Sequence, residues 1–517
     1  MRRLLLLLPL LLLAPAVQVH AQVPTYANNG TSCAFGGPHT ATGLICPLKY
    51  PTGSNNAIVC AFIYPDAVTG TRGCTDDKSN TYTRAGTFTD GFGHAIIDIW
   101  VACGATAGAT QIEPLFNSNT FVSTTDQAIV AEYYNVATTS CFEIFNGNAN
   151  SSASITTASS TPGASGEMLL QFAFSDSGQA TGWTVGSQSN ITWRLRAAVA
   201  DDSGAMNAQA FQYGVYNSAA AITPTMSNAG GAQWITASVF LKAATAGTAP
   251  PAGLRLTFDQ QVDLNNLAIG TRTLQFPHYG VTQVMDYVSG GGTLTTTGTP
   301  TESCGNTLTQ ATGSPFQGTP DSNDTHIYFF TKNATACGAG TLSWVLAGTN
   351  QSASMHQYDI EGADTVTPVC DSNGNGRIET AHGTQGNLNN VAVVTVAITP
   401  CRANGAVIWS MGIGTGGAIS LTSPTGAILG SCIPRPFQAT TDCDENNGFA
   451  VFPNSGVSAL TFTMQPEQAP NGISGWDAAA MAIQPPASAA APKKPPVVIG
   501  QGAAFALAVA ATTMRLN

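Results

Sequence analysis

Ala57-Ile58-Val59-Cys60-Ala61-Phe62-Ile63-Tyr64 is eight residues rich in β-branched and aromatic side chains, closed off by Gly53-Ser54-Asn55-Asn56 before it and Pro65-Asp66 after it. A run this short, bounded by turn formers on both sides, reads as a strand. The same grammar recurs at 94–101, 127–134, 168–174 and 235–241, and again at 325–331, 391–398, 405–411 and 476–483. No long amphipathic helical period interrupts the series. Turns come too often for crossover helices, and each strand needs a face to hide, so the chain reads as all-β, with antiparallel sheets packed face to face as Ig-like or jelly-roll-like sandwiches.

The punctuation repeats about 230 residues apart. Cys74, Asn80-Thr81-Tyr82-Thr83 and Cys103 return as Cys304, Asn306-Thr307-Leu308-Thr309 and Cys337, and Trp183-Thr184-Val185-Gly186 returns as Trp409-Ser410-Met411-Gly412. Such self-similarity predicts two tandem sandwich domains related by internal duplication, 22–242 and 254–484. The Ala/Gly/Pro stretch 243–253 would link them. A Pro-rich spacer, 485–496, and an apolar tail, 497–517, follow; Val497 to Met514 carries no charge and suggests membrane or surface attachment.

Residues 1–21 open with Arg2-Arg3, continue through an apolar block to Leu13 and end Val19-His20-Ala21, the pattern of a cleavable secretory leader. The expected location is therefore secreted, extracellular or cell-surface. All 12 cysteines lie after this leader, and no pair shows the close spacing of a zinc site, so structural disulfides are expected. If turn-rich stretches near 89–92 and 319–324 are hairpin bends, the flanking cysteines should meet as Cys74–Cys103 and Cys304–Cys337. Cys432 and Cys443 would close a local loop.

Only 9 % of residues are charged, and removing Arg2 and Arg3 would take the net charge from −11 to −13. A chain so poor in cations repels phosphate backbones, which excludes nucleic acid as a partner. Motifs for enzymes are equally sparse: there is no G-x-S-x-G nucleophile elbow, H-E-x-x-H helix or phosphate-binding loop.

The turn Asp76-Asp77-Lys78-Ser79-Asn80-Thr81-Tyr82 and the strand end Glu132-Tyr133-Tyr134-Asn135 resemble β-sandwich modules of large exported bacterial surface proteins. In that family a turn of the form Asp-x-x-Gly/Ser-Asn-Thr-Tyr opens a strand and Glu-Tyr-x-Gly closes one. The second half departs from the pattern, with Gly305-Asn306-Thr307-Leu308 and Asp359-Ile360-Glu361-Gly362. The resemblance implies a sandwich fold and an external location, without an activity.

Three chemical readings compete. Glu132 and Asp359 occupy matching places, as catalytic carboxylates or as strand-end acceptors of hydrogen bonds; glycoside hydrolysis needs a second carboxylate within about 10 Å, and Asp98 is the local candidate. Asp371, Asn373 and Asn375, with Gly376 and Glu379, follow the start of a calcium loop, or an Asx-rich turn; no other cofactor is expected. Trp183/Trp409 and Trp234/Trp476 recur and read as core, whereas Trp100, Trp193 and Trp344 do not and are the candidates for an exposed ligand-binding platform. The leading expectation is a non-catalytic structural or adhesion protein with a glycan or protein partner. A carbohydrate-binding protein and an extracellular hydrolase stand as alternatives.

Overall fold

The computed structural model describes residues 22–487, apart from several internal segments, the longest being 35–42, 117–126, 385–393, 434–444 and 452–459. The leader, most of the Pro-rich spacer and the apolar tail therefore lie outside the described residues. Among the described residues all the regular structure is β-strand, and those up to Pro486 belong to one compact unit.

One path is traced four times. The first eight strands are β1 (Thr25–Ala34), β2 (Cys46–Pro47), β3 (Asn56–Tyr64), β4 (Gly73–Asp76), β5 (Tyr82–Thr89), β6 (Ile96–Ala105), β7 (Gln111–Leu115) and β8 (Gln127–Tyr134). They form a five-stranded sheet ordered β1-β8-β3-β6-β5 and a three-stranded sheet ordered β2-β7-β4. Numbered within the unit, that is 1-8-3-6-5 over 2-7-4, a jelly-roll-like path in which strands paired early lie next to strands paired late.

The second unit comprises β9 (Phe142–Ser151), β10 (Ser154–Thr156), β11 (Glu167–Ser175), β12 (Trp183–Thr184), β13 (Arg194–Ala198), β14 (Ala200–Asp201), β15 (Ala208–Tyr216), β16 (Thr225–Asn228) and β17 (Gln233–Leu241). With β14 set aside, its sheets β9-β17-β11-β15-β13 and β10-β16-β12 repeat the order.

In the third, β18 (Arg255–Asn265), β19 (Gly270–Gln275), β20 (Thr282–Gly290), β21 (Leu294–Thr296), β22 (Thr301–Glu302), β23 (Leu308–Gln310), β24 (Phe316–Gln317), β25 (Thr325–Thr331), β26 (Thr341–Gly348) and β27 (Ser352–Glu361) give β18-β27-β20-β25-β23 and β19-β26-β21. A short hairpin, β28 (Cys370–Asp371) and β29 (Gly374–Asn375), precedes the fourth. There β30 (Ile378–Thr384), β31 (Val394–Ile398), β32 (Ala406–Ile413), β33 (Ala418–Thr422), β34 (Ala427–Ile433), β35 (Glu445–Val451), β36 (Leu460–Glu467) and β37 (Gly475–Ile483) give β30-β37-β32-β35-β34 and β31-β36-β33.

Side-chain alternation explains why the strands read as unbroken apolar runs. In β3, Val59, Ala61 and Ile63 enter a core shared with Leu170, Phe172 and Val239 of the second unit's five-stranded sheet. Their neighbours Ile58, Cys60, Phe62 and Tyr64 enter a separate core under β2 and β7 with Cys46 and Ile112. Both faces of the sheet are covered, so every residue of β3 and of β11 is buried. The five-stranded sheets thus pack against each other in pairs, with three-stranded sheets outside. The third and fourth units share a core in the same way, through Val284, Phe330, Ile408 and Met481.

The strand orders set two sandwiches in each half of the described residues; β14 pairs in parallel with β18 across 243–253, and Thr248 N–H donates to the Ser54 carbonyl.

Disulfides join Cys60–Cys74, Cys103–Cys141, Cys304–Cys337 and Cys370–Cys401, and Cys46 is bridged as well. The expected Cys74–Cys103 pairing is replaced. A hairpin does turn near residue 90, pairing Thr89 with Ile96, but Cys74 precedes it on β4, in the three-stranded sheet. Its sulfur meets β3 beneath that sheet, leaving Cys103 for Cys141. Cys443 lies outside the described residues, and of Cys432 only its place in β34 is described.

Candidate functional site

The repeated motifs resolve into turn latches. Asp76, at the end of β4, accepts hydrogen bonds from Lys78 N–H (2.9 Å), Asn80 N–H (3.1 Å), Asn80 Nδ2 (2.9 Å) and the Tyr82 hydroxyl (3.0 Å). Asn80 then reaches across, its Oδ1 accepting from Thr106 N–H at 2.7 Å. In the third unit Glu302 stands for Asp76: it accepts from Asn306 N–H and Nδ2, both at 3.0 Å, while Asn306 Oδ1 accepts from Thr335 N–H at 2.8 Å. A short acid that satisfies several turn N–H groups at once is the Asx chemistry of tight loops.

Glu132 and Asp359 are a second matched pair, both almost fully buried. Glu132 accepts from Gly53 N–H (2.7 Å), Asn56 Nδ2 (2.5 Å) and Asn29 Nδ2 (2.6 Å). Burial pushes its carboxyl above the usual range, and those three donors pull the other way. Asp359 accepts from Gly280 N–H (2.7 Å), Tyr279 N–H (2.8 Å) and Arg196 Nη1 (2.8 Å). Gly53 and Gly280, like Glu132 and Asp359, are 227 residues apart, so both carboxylates clamp the same turn of their units. Arg196 brings the second unit onto the third and lies over the Tyr279 ring, 4.6 Å from its centroid.

Asp98 is no partner for hydrolysis at Glu132. On β3 the residue opposite Asp98 is Phe62 and the residue opposite Glu132 is Ile58, a separation of about 13 Å along the strand. Asp98 is instead buried against the Tyr64 hydroxyl, 3.1 Å away, with Arg84 3.6 Å off.

The proposed aromatic platform is not on the surface. Trp193 and Trp344 are buried, and the Trp193 indole donates to Gln188 Oε1 at 2.7 Å. Trp100 is partly buried, with the Arg84 guanidinium over its ring at 4.9 Å. Trp100 packs against the core under β2 and β7, and Trp193 packs with Leu169 and Phe240. Trp183, Trp234 and Trp409 are buried too.

The calcium set is not drawn to a common centre. Asp371 pairs with Gly374, and Cys370 with Asn375, so the side chains of Asp371 and Asn375 leave opposite faces of the hairpin. Asp371 is buried and accepts from Gly374 N–H at 3.0 Å, Asn375 is exposed, and Glu379 lies 3.4 Å from Arg377 Nε. Asn373 lies outside the described residues. Among the described residues one cluster has metal-ligand geometry, His278, Glu302 and Cys337, but Cys337 is bridged to Cys304 and offers no thiolate.

One constellation is assembled from residues far apart in the chain. His326 of β25 lies between Asp477 of β37 (Nε2 to Oδ1, 2.8 Å) and Ser410 of β32 (Nδ1 to Oγ, 2.9 Å). These are the residue types and contacts of a nucleophilic triad. All three are fully buried between the facing sheets, and Ser410 Oγ is also engaged by the Tyr328 hydroxyl at 2.6 Å. A substrate carbonyl has no approach to the hydroxyl, so the arrangement serves packing of the third unit on the fourth.

No family model, no curated protein and no solved structure matches this chain.

Proposed function

We propose that the protein is a secreted or cell-surface structural or adhesion protein, a static scaffold that presents the outer faces of four sandwich units. The observation that carries this reading is the use made of its shared polar motifs. Asp76 and Asn80, Glu302 and Asn306, Glu132 and Asp359 are all engaged in holding turns in matching places. Several disulfides suit an oxidising, external compartment. A low-charge, acidic chain with neutral polar side chains on its turns suits a module that must stay folded and soluble outside the cell.

The test is to express the full chain with its own leader in a bacterial host, fractionate the cells, and present the purified protein on beads to cells and to polysaccharides. The expected result is protein in the surface or medium fraction that retains cells or a glycan without altering it. Release of reducing ends or of any hydrolysis product, abolished by a point substitution, would replace this reading with the hydrolase one.

A further inference from the structure

His278 is a fully buried imidazole without a hydrogen bond of ordinary length among the described residues. Its Nδ1 has no partner, and its Nε2 lies 3.4 Å from Glu302 Oε1 and 3.4 Å from Asn306 Nδ2, both beyond the usual reach of a ring nitrogen. A buried polar ring left so calls for an explanation, and metal coordination is one that its surroundings supply.

Backbone pairing assembles those surroundings. His278 and Cys337 are directly opposed, His278 N–H donating to the Cys337 carbonyl at 3.0 Å and Cys337 N–H to the His278 carbonyl at 2.8 Å, so their side chains leave the same face. Glu302 joins them from β22, with Oε2 held by Asn306 and Oε1 turned toward the ring. A ring nitrogen of His278, a carboxylate oxygen of Glu302 and Cys337 Sγ all lie within 4.8 Å of one another. Gly340 keeps the space beside them open, since a Cβ there would stand 2.9 Å from Cys337 Sγ and 3.1 Å from Glu302 Oε1. Cys304, exposed and bonded to Cys337, brings a second sulfur to the same place.

We propose that the Cys304–Cys337 disulfide caps a latent zinc site, whose ligands in the reduced chain are both thiolates, the His278 imidazole and the Glu302 carboxylate. Zinc takes four such donors in a tetrahedron, with bonds of about 2.0 to 2.3 Å that set the donors roughly 3.3 to 3.8 Å apart. His278 Nε2 and Glu302 Oε1 already stand at that spacing. Bridged sulfurs carry no thiolate charge, so disulfide and metal exclude each other. A dithiol reductant, entering at the exposed Cys304, gives two electrons and two protons to the S–S bond and leaves as its own cyclic disulfide. Zinc then binds both sulfurs and releases both thiol protons. One cross-link of the third unit is thereby replaced by another, made to the same two cysteines and also to His278 and Glu302.

The experiment is cobalt(II) titration of full-chain Cys304→Ser without reductant, so that the other disulfides stay closed while Cys337 is a free thiol. The expected result is a near-ultraviolet thiolate-to-cobalt absorption that saturates at one ion per chain, with binding weakened roughly tenfold or more when His278→Ala is added. No such absorption in Cys304→Ser, its persistence in Cys304→Ser/Cys337→Ser, or its presence in the unreduced parent chain overturns the proposal. Should Cys304→Ser fail to fold by circular dichroism, the parent chain opened with a phosphine reductant decides. Zinc should then shield Cys337 from alkylation, read by mass spectrometry, and His278→Ala should remove the shielding; equal alkylation of Cys337 with and without zinc overturns it.

Discussion

Replacing Asp359 and replacing Arg196 should have unequal costs, although the two form one salt bridge. Arg196 reaches the carboxylate through Nη1, at 2.8 Å, while Asp359 also accepts from Tyr279 N–H and Gly280 N–H. Asp359→Ala therefore strands a fully buried guanidinium and orphans two buried backbone donors. Breaking a buried pair from one side costs about 3 to 5 kcal/mol, and each orphaned donor adds about 1 kcal/mol or more, so a loss near 5 kcal/mol is expected. Arg196→Met leaves the carboxylate with both backbone donors and fills the guanidinium stem's volume, for a cost of about 2 kcal/mol. Urea unfolding followed by tryptophan fluorescence and circular dichroism measures both. Equal costs, or a larger cost for Arg196→Met, would refute the view that Asp359 is first a clamp on the Tyr279–Gly280 turn and only second a partner for Arg196.

Asn80→Ala and Asn306→Ala should each destabilise by about 0.5 to 1.5 kcal/mol, and by similar amounts, because each removes one partly exposed turn bridge; denaturant midpoints check this. Glu167, driven by burial and by its hydrogen-bonded neighbour Glu143, has its carboxyl pushed up to about 8. The folded state then holds its proton while the unfolded chain releases it from about 4.5 upward, so this group increasingly opposes folding between pH 4.5 and 8. Glu167→Gln should match the parent protein's melting temperature at pH 4 and exceed it at pH 8; a gain confined to acid would contradict this. Mass spectrometry of unreduced peptides should recover Cys60–Cys74 and Cys103–Cys141 links, and a Cys74–Cys103 link would refute the layered placement of β4.

Much of this architecture is legible in the residues, and what is not has identifiable causes. The strands show themselves because Ile, Val, Phe and Tyr crowd into runs of seven to nine between turn formers. The matched turns show themselves because Asp76/Asn80 and Glu302/Asn306 make the same kind of latch. The fourfold strand path does not, since the fourth strands of the four units, Gly73–Asp76, Trp183–Thr184, Leu294–Thr296 and Ala418–Thr422, share no residue pattern. The placement of Trp100 is hidden for another reason: it lies on β6, in a five-stranded sheet covered on both faces, which has no solvent side for alternation to mark. The Ser410–His326–Asp477 network is assembled by facing sheets from residues 84 and 151 positions from His326, so no local spacing announces it. One clue was present. His326 ahead of Ile327-Tyr328-Phe329-Phe330 and Asp477 inside Trp476-Asp477-Ala478-Ala479 are polar residues in apolar strands, which must find partners when buried.

Hydrogen exchange read by mass spectrometry tests the fourfold scaffold most directly. The account predicts four slow blocks, each pairing the third and eighth strands of a unit: 56–64 with 127–134, 167–175 with 233–241, 282–290 with 352–361, and 406–413 with 475–483. Any of these eight segments exchanging as fast as the connecting loops would contradict it.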